Sequence, residues 1–159
     1  MPSPFTPEVP ARAGERRYWV ELEGAAQALA IAQSARAHSG LTLIITPDTG
    51  IALRLDEEIR FFDAELNVLH FPDWETLPYD VFSAHQDITS QRIATLSQLQ
   101  ELTQAVLILP VTTLLHRLPP AAFYQGQSFV LDKGQTFDVN NTRLQLENAG
   151  YQCVDTGMK

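Results

Sequence analysis

Short apolar runs alternate with segments of helical period along most of this chain, and no other feature constrains the fold as strongly. The runs are YWVEL (18–22), LTLII (41–45), LNVLHF (66–71) and AVLIL (105–109). Runs such as LTLII and AVLIL lack the in–out alternation of a half-solvated strand, so they suit strands covered on both faces. Such strands need helical crossovers between them, and the intervening segments supply helices. The expectation is an α/β fold, a parallel sheet with helices on both faces.

The helices carry local start and stop signals. GAAQALAIAQSARAH (24–38) is an alanine-rich helix with Gly40 as its stop. After LTLII, Thr46 can cap, Pro47 suits the first helical position and Asp48 favours the positive helix end. Ile51, Leu55, Ile59 and Phe62 then form one stripe. A helix from about Ser90 presents Ile93, Leu96 and Leu99, and TTLLHRL (112–118) is a short helix stopped by Pro119-Pro120. The motif Pro-x-Thr-x-(Ile/Leu)-x-x-Arg-Leu occurs at 47–55 and again at 110–118, in both cases as a corner directly after a strand.

Beyond Pro120 the rhythm restarts with SFVLDKG (128–134), a helix from about Asn140 to Ala149, and YQCVD (151–155). One strand–helix–strand unit is too small to bury a core alone. The expected organisation is a proline-rich flexible tail (1–16), an α/β domain (17–122) and the start of a smaller α+β module (123–159).

Composition narrows the function classes. Residues 21–100 hold four arginines against twelve acids, and the 159-residue chain carries a net charge of −8. That block repels a phosphate backbone, so the region is a poor binder of nucleic acid. No apolar run approaches bilayer length, and the first ten residues, with four prolines, do not read as a signal peptide. Cys153 is the only cysteine, which fits a reducing cytoplasm.

A nucleotide site in such a fold belongs at the first strand-to-helix turn. A phosphate loop there needs glycines for close backbone approach, then Lys and Ser/Thr for phosphate and magnesium. The chain offers Gly24, Ala25, Ala26, Gln27 and Ala28, preceded by Glu23, with neither Lys nor Ser/Thr in place. The expectation is no cofactor and no catalytic residue in these 159 residues. The acids of LDEEI (55–59) sit mid-helix as a solvated face, and His38, His70, His85 and His116 have no metal-ligand spacing, so no metal is expected. Ser83, His85 and Asp87 are too close in sequence to suggest a triad.

The segment FPDWETLPYD (71–80) remains, two aromatics among acids and prolines where no regular element continues easily. Irregular segments on a rigid scaffold often carry binding. Trp74 can plug the sheet edge, or Trp74, Glu75, Tyr79 and Asp80 can form a partner patch, aromatics being enriched in interface hot spots.

The stretch DWETLPYDVFSAHQDITSQRIATLSQL (73–99) closely resembles the N-terminal part of the bacterial transcription-repair coupling factors. The similarity runs from about Arg17 to the end and includes VLILPVTTLLHRLPP, KGQTF and LENAGYQCVD. The resemblance implies a degenerate helicase-type (RecA-like) domain similar to that of UvrB, followed by a small module that docks UvrA. It implies a parent that is an ATP- and magnesium-dependent DNA translocase, displacing stalled RNA polymerase and recruiting UvrA in nucleotide excision repair. Gly24 to Ala28 then stand where a helicase phosphate loop would be. The corners at Pro47 and Pro110 resemble those with which helicase domains touch DNA. Only VFSAH (81–85) stands where UvrB inserts its DNA-clamping hairpin. The arginines that grip UvrA would follow Lys159. On this basis the chain is a non-catalytic scaffold, contacting RNA polymerase and DNA only through its parent. The alternative is a small stand-alone nucleotide-binding α/β enzyme.

Overall fold

The computed structural model describes residues 3–76, 81, 83–121, 134, 136 and 138–148. They fall in two compact units, 1–118 and 119–159. In the first, the order is α1 (Ala26–Ala37), β1 (Leu41–Thr46), α2 (Thr49–Phe62), β2 (Val68–His70), α3 (Gln86–Gln98), β3 (Ala105–Pro110) and α4 (Val111–Leu114). The sheet order is β1-β3-β2, and both pairings are parallel. In the second unit, α5 (Val139–Asn148) is the described element. The strands expected at 128–134 and 151–155 lie outside the described residues, Gly134 apart.

β3 is central because its sequence suits no other place: all six of its residues are buried. Val106 and Ile108 point into a core with Ala28, Ala32 and Ala35 of α1, Ala52, Leu55 and Ile59 of α2, and Val68. Leu107 and Leu109 point the other way, against Phe71, Leu69, and Leu96 and Leu99 at the end of α3. Helices therefore cover both faces of β3, as its apolar run requires, but LTLII departs from the same expectation: Leu41, Leu43 and Ile45 on one face of β1 are exposed.

Several local expectations are corrected. Residues 18–22 form no strand; Tyr18 and Val20 are exposed, and Glu21 has φ of 60°, a left-handed conformation that breaks extended pairing. Asp48, not Thr46, caps α2, accepting the Ile51 N–H at 2.8 Å. Thr46 instead donates to the Asp48 carbonyl at 2.8 Å, which places Pro47 before the helix rather than in it. α1 ends at Ala37 through an extended His38, without a left-handed glycine. On α2, Leu55 and Ile59 are buried and Ile51 packs against the core, but Phe62 is exposed.

α3 starts at Gln86, with His85 as cap, four residues before the expected Ser90. Its buried side chains are Arg92 and Thr95, while Ile93 is exposed. Leu96 and Leu99 pack inward as expected, and the buried Arg92 and Thr95 widen that face to reach the outward carbonyls of Pro72 and His70. The acids of 55–59 are only partly the solvated face expected: Glu57 is exposed, whereas Asp56 and Glu58 are part-buried and pair with Arg60 and Arg54 one turn away.

Ile108, fully buried on the central strand, is the sharpest test of this arrangement. Truncation Ile108→Ala should lower unfolding stability by about 2–5 kcal/mol in a denaturant titration, the range for large-to-small core changes. A loss below about 0.5 kcal/mol would mean that β3 is not the core strand.

Candidate functional site

The segment after β2 sits at the carboxyl end of the sheet, where open α/β folds usually place ligand and partner sites. The ladder ends there for a simple reason. The Phe71 N–H still donates to the Ile108 carbonyl at 2.9 Å, but Pro72 has no N–H to continue. From Pro72 the backbone is held by side chains.

Arg92 does most of that holding. It is 2% exposed, and its guanidinium carbon lies 4.1 Å from the ring centres of both Phe71 and Trp74. One of its terminal nitrogens donates to the Pro72 carbonyl. A planar cation sandwiched by two rings is well suited to burial, because its stacked faces need no hydrogen bond.

Asp73 is the second anchor. One carboxylate oxygen accepts the Trp74 N–H at 2.7 Å, and the other accepts the Thr112 hydroxyl at 2.5 Å. His116 approaches the same carboxylate at 3.6 Å, an ion pair when the imidazole is protonated. The loop after β2 is thereby tied to the corner after β3. Glu75 follows with φ of 57° and an exposed side chain, a left-handed conformation that costs a non-glycine residue about 1 kcal/mol or more. Trp74 is half-buried, so it both plugs the loop and offers part of its surface. Tyr79 and Asp80 lie outside the described residues.

Polar side chains also occupy the outward edge of β2. Arg60 donates to the Val68 carbonyl and Thr95 to the His70 carbonyl at 3.1 Å. With Arg92 on Pro72, three successive outward carbonyls are satisfied from α2 and α3. Composition gave no hint of this role for Arg92 and Thr95. The available signal was their spacing of three, which puts them on one face of α3. Burial pushes the His70 imidazole below its ordinary value of 6.5, against a weaker upward pull from Asp56.

The two Pro-x-Thr corners become neighbours, since Thr46 pairs with Pro110 in the ladder. They are used differently. At the first, Asp48 caps α2; at the second, Thr112 binds Asp73 and Thr113 is buried. The turn into α1 places Gly24 at φ of 54°, with Ala25 as an N-cap lacking a side-chain bond. Ala26 and Gln27 then donate to the Glu23 and Gly24 carbonyls, and Ala28 is buried. No strand leads into this turn, so the strand–loop–helix frame of a phosphate loop is not built by residues 18–28. Among the described residues, no three His, Cys, Asp or Glu side chains gather as metal ligands, and no helix is long and apolar enough to cross a membrane.

No family model matches the chain. Over all 159 residues it is 45% identical to the transcription-repair-coupling factor of Escherichia coli (strain K12), covering 14% of that protein. It is 38% identical over 151 residues to that of Haemophilus influenzae (strain Rd), covering 13%. It is 26% identical over 132 residues to that of Staphylococcus aureus (strain USA300), covering 11%. The chain thus spans about one seventh of the length of the curated relatives it matches.

Two outcomes follow from this geometry. Arg92→Met keeps the apolar stem but removes the stacked cation, and should cost about 1–3 kcal/mol. In a Trp19→Phe background, which leaves Trp74 as the sole tryptophan, its fluorescence should shift to the red; an unshifted spectrum would exclude the sandwich. Because the folded-state value of His70 is depressed, its contribution to stability is fully present above pH 6.5 and is lost as pH falls below it. His70→Gln should flatten that part of the stability-versus-pH curve; an unchanged slope would assign it to other groups.

Proposed function

Because the chain belongs to the transcription-repair coupling factors, we propose that residues 1–159 are a non-catalytic scaffold within a longer, ATP-driven protein of DNA repair. The observation that carries this reading is the turn into α1. Gly24 to Ala28 have neither the Lys nor the Ser/Thr of a phosphate loop, and no strand leads into them. In this reading the translocase motor, its ATP and magnesium, and its contacts to RNA polymerase and DNA belong to other parts of the parent. The first unit is a UvrB-like relic, and the region from about residue 123 begins the module that recruits UvrA. The fragment serves recruitment and intramolecular regulation in the cytoplasm. The rigidly anchored loop at Trp74 and Glu75 is a ready contact for another part of the same protein.

Three measurements test it. Calorimetry should detect no magnesium-dependent ATP binding at micromolar affinity; tight binding would favour a stand-alone nucleotide enzyme. Gel shifts at physiological salt should show negligible binding to undamaged or lesion-bearing duplex, given eight net negative charges. Pull-down should show weak or undetectable UvrA binding by residues 1–159, restored in a longer version of the protein. Equal UvrA binding by both would move the contact surface to the first unit, with the Trp74 loop as its best candidate.

A further inference from the structure

α1 is buried on two opposite sides, and only one of them faces the sheet. Ala28, Ala32 and Ala35 belong to the core with α2 and β3. Ala30, 0% exposed, and Ser34 stand about half a turn away, on the far side of the helix. The N-terminal segment covers Ala30 there, with Pro4, Pro7, Trp19 and Leu22 half-buried around it. The void they enclose with Ala30 is about 10 Å³, no more than one water needs, so the seating is close. Phe5, Tyr18 and Val20 of the same segment face solvent.

The segment is braced internally. The Trp19 indole N–H donates to the Glu8 carbonyl at 3.0 Å, which closes residues 8–19 into a loop. Within that loop Arg17 pairs with Glu15 and, at 3.8 Å, with Glu8, while the Glu15 carboxylate accepts the Ala11 N–H at 2.7 Å. Among the described residues, however, no hydrogen bond or ion pair joins residues 3–22 to any residue that follows them. Its hold on α1 is apolar contact. The helix face beneath is equally self-sufficient, because the Ser34 hydroxyl donates to the Ala30 carbonyl at 2.7 Å. Lifting the segment therefore strands no hydrogen-bonded group on either side, and that penalty is what usually locks an element in place. Where the segment meets the helix, Glu21 and Gly24 have φ of 60° and 54°, and both are exposed. Left-handed residues in a short exposed connection are positions that can absorb a hinge rotation.

We infer that residues 3–20 are a detachable strap over the outer face of α1, hinged at 21–24, which opens and closes as a unit while the sheet stays folded. The strap gives the first unit two states. Closed, it seals α1 on the side away from the sheet. Open, it bares a helix face of small side chains whose polar groups are already satisfied. The internal brace is what makes the device reversible: a strap that keeps its docked shape while lifted loses little conformational freedom when it closes again.

The strap carries one of the chain's two tryptophans, so its position can be read directly. In a Trp74→Phe background, which keeps a ring against Arg92, Trp19 emission should move to the red at a lower urea concentration than the loss of helical ellipticity. Coincident transitions would overturn the inference by making the segment an integral part of the fold. Ala30→Leu in the same background should lift the strap, since the added side chain has no room beneath it. Acrylamide should then quench Trp19 in buffer at least threefold more efficiently, with the ellipticity midpoint nearly retained. Ala32→Leu, on the sheet side, should instead lower that midpoint and leave Trp19 quenching in buffer unchanged. Unchanged quenching in Ala30→Leu, or a midpoint lowered as far as in Ala32→Leu, would overturn the inference. So would a Trp19 that is fully quenchable without either substitution, because the strap would then never close.

Discussion

Every ladder hydrogen bond of the sheet involves β3. This one strand divides the interior into two layers, with even-numbered side chains toward α1 and α2 and odd-numbered ones toward α3. No polar side chain lies between Ala105 and Pro110, so the strand can satisfy itself only through its backbone, on both sides at once. β1 and β2 are fixed in direction and register by that requirement. The carboxyl ends of all three strands, and the corners that follow them, are brought to one end of the sheet as a result.

At that end the polar chemistry is structural. Arg92 and Asp73 hold the backbone where it has left the ladder, while Thr95 and Arg60 bond the carbonyls of His70 and Val68 on the outward edge of β2. The segment 71–76 is consequently held by two stacked rings, a shared carboxylate and capped carbonyls, and not by regular secondary structure. A loop fixed this firmly presents its exposed parts, including the left-handed Glu75, in one geometry, and preorganisation of that kind lowers the entropic cost of docking.

Much of this was legible in the sequence, and the failures have identifiable causes. The apolar runs predicted α/β architecture because burial on both faces leaves a continuous signature, as in AVLIL. YWVEL is a run of the same length but includes Glu21, which takes a left-handed conformation, and no strand among the described residues lies beside it. On α3 the apolar stripe located Leu96 and Leu99 but not Ile93, which is exposed, and apolarity gave no sign of Arg92 and Thr95, which are buried with hydrogen bonds to backbone carbonyls. Trp74 was expected either to plug the fold or to face a partner, and it is half-buried against Arg92, which no spacing rule encodes. The placing of Thr112 on Asp73 depends on residues 39 apart in sequence, beyond the reach of any local pattern.

α1 offers a different lesson. Its buried positions are Ala28, Ala30, Ala32, Ser34 and Ala35, all small side chains. A helix packed this way is held by closeness of approach, with little side-chain entropy lost on folding and little volume to lose by truncation. The usual asymmetry of core mutations is therefore inverted. Shrinking a side chain here removes almost nothing, whereas adding even two methylenes forces the helix off its neighbours. Natural drift along this helix is bounded by an upper limit on size, and a hydrophobicity scale, which would welcome valine or leucine at these positions, ranks its substitutions in the wrong order.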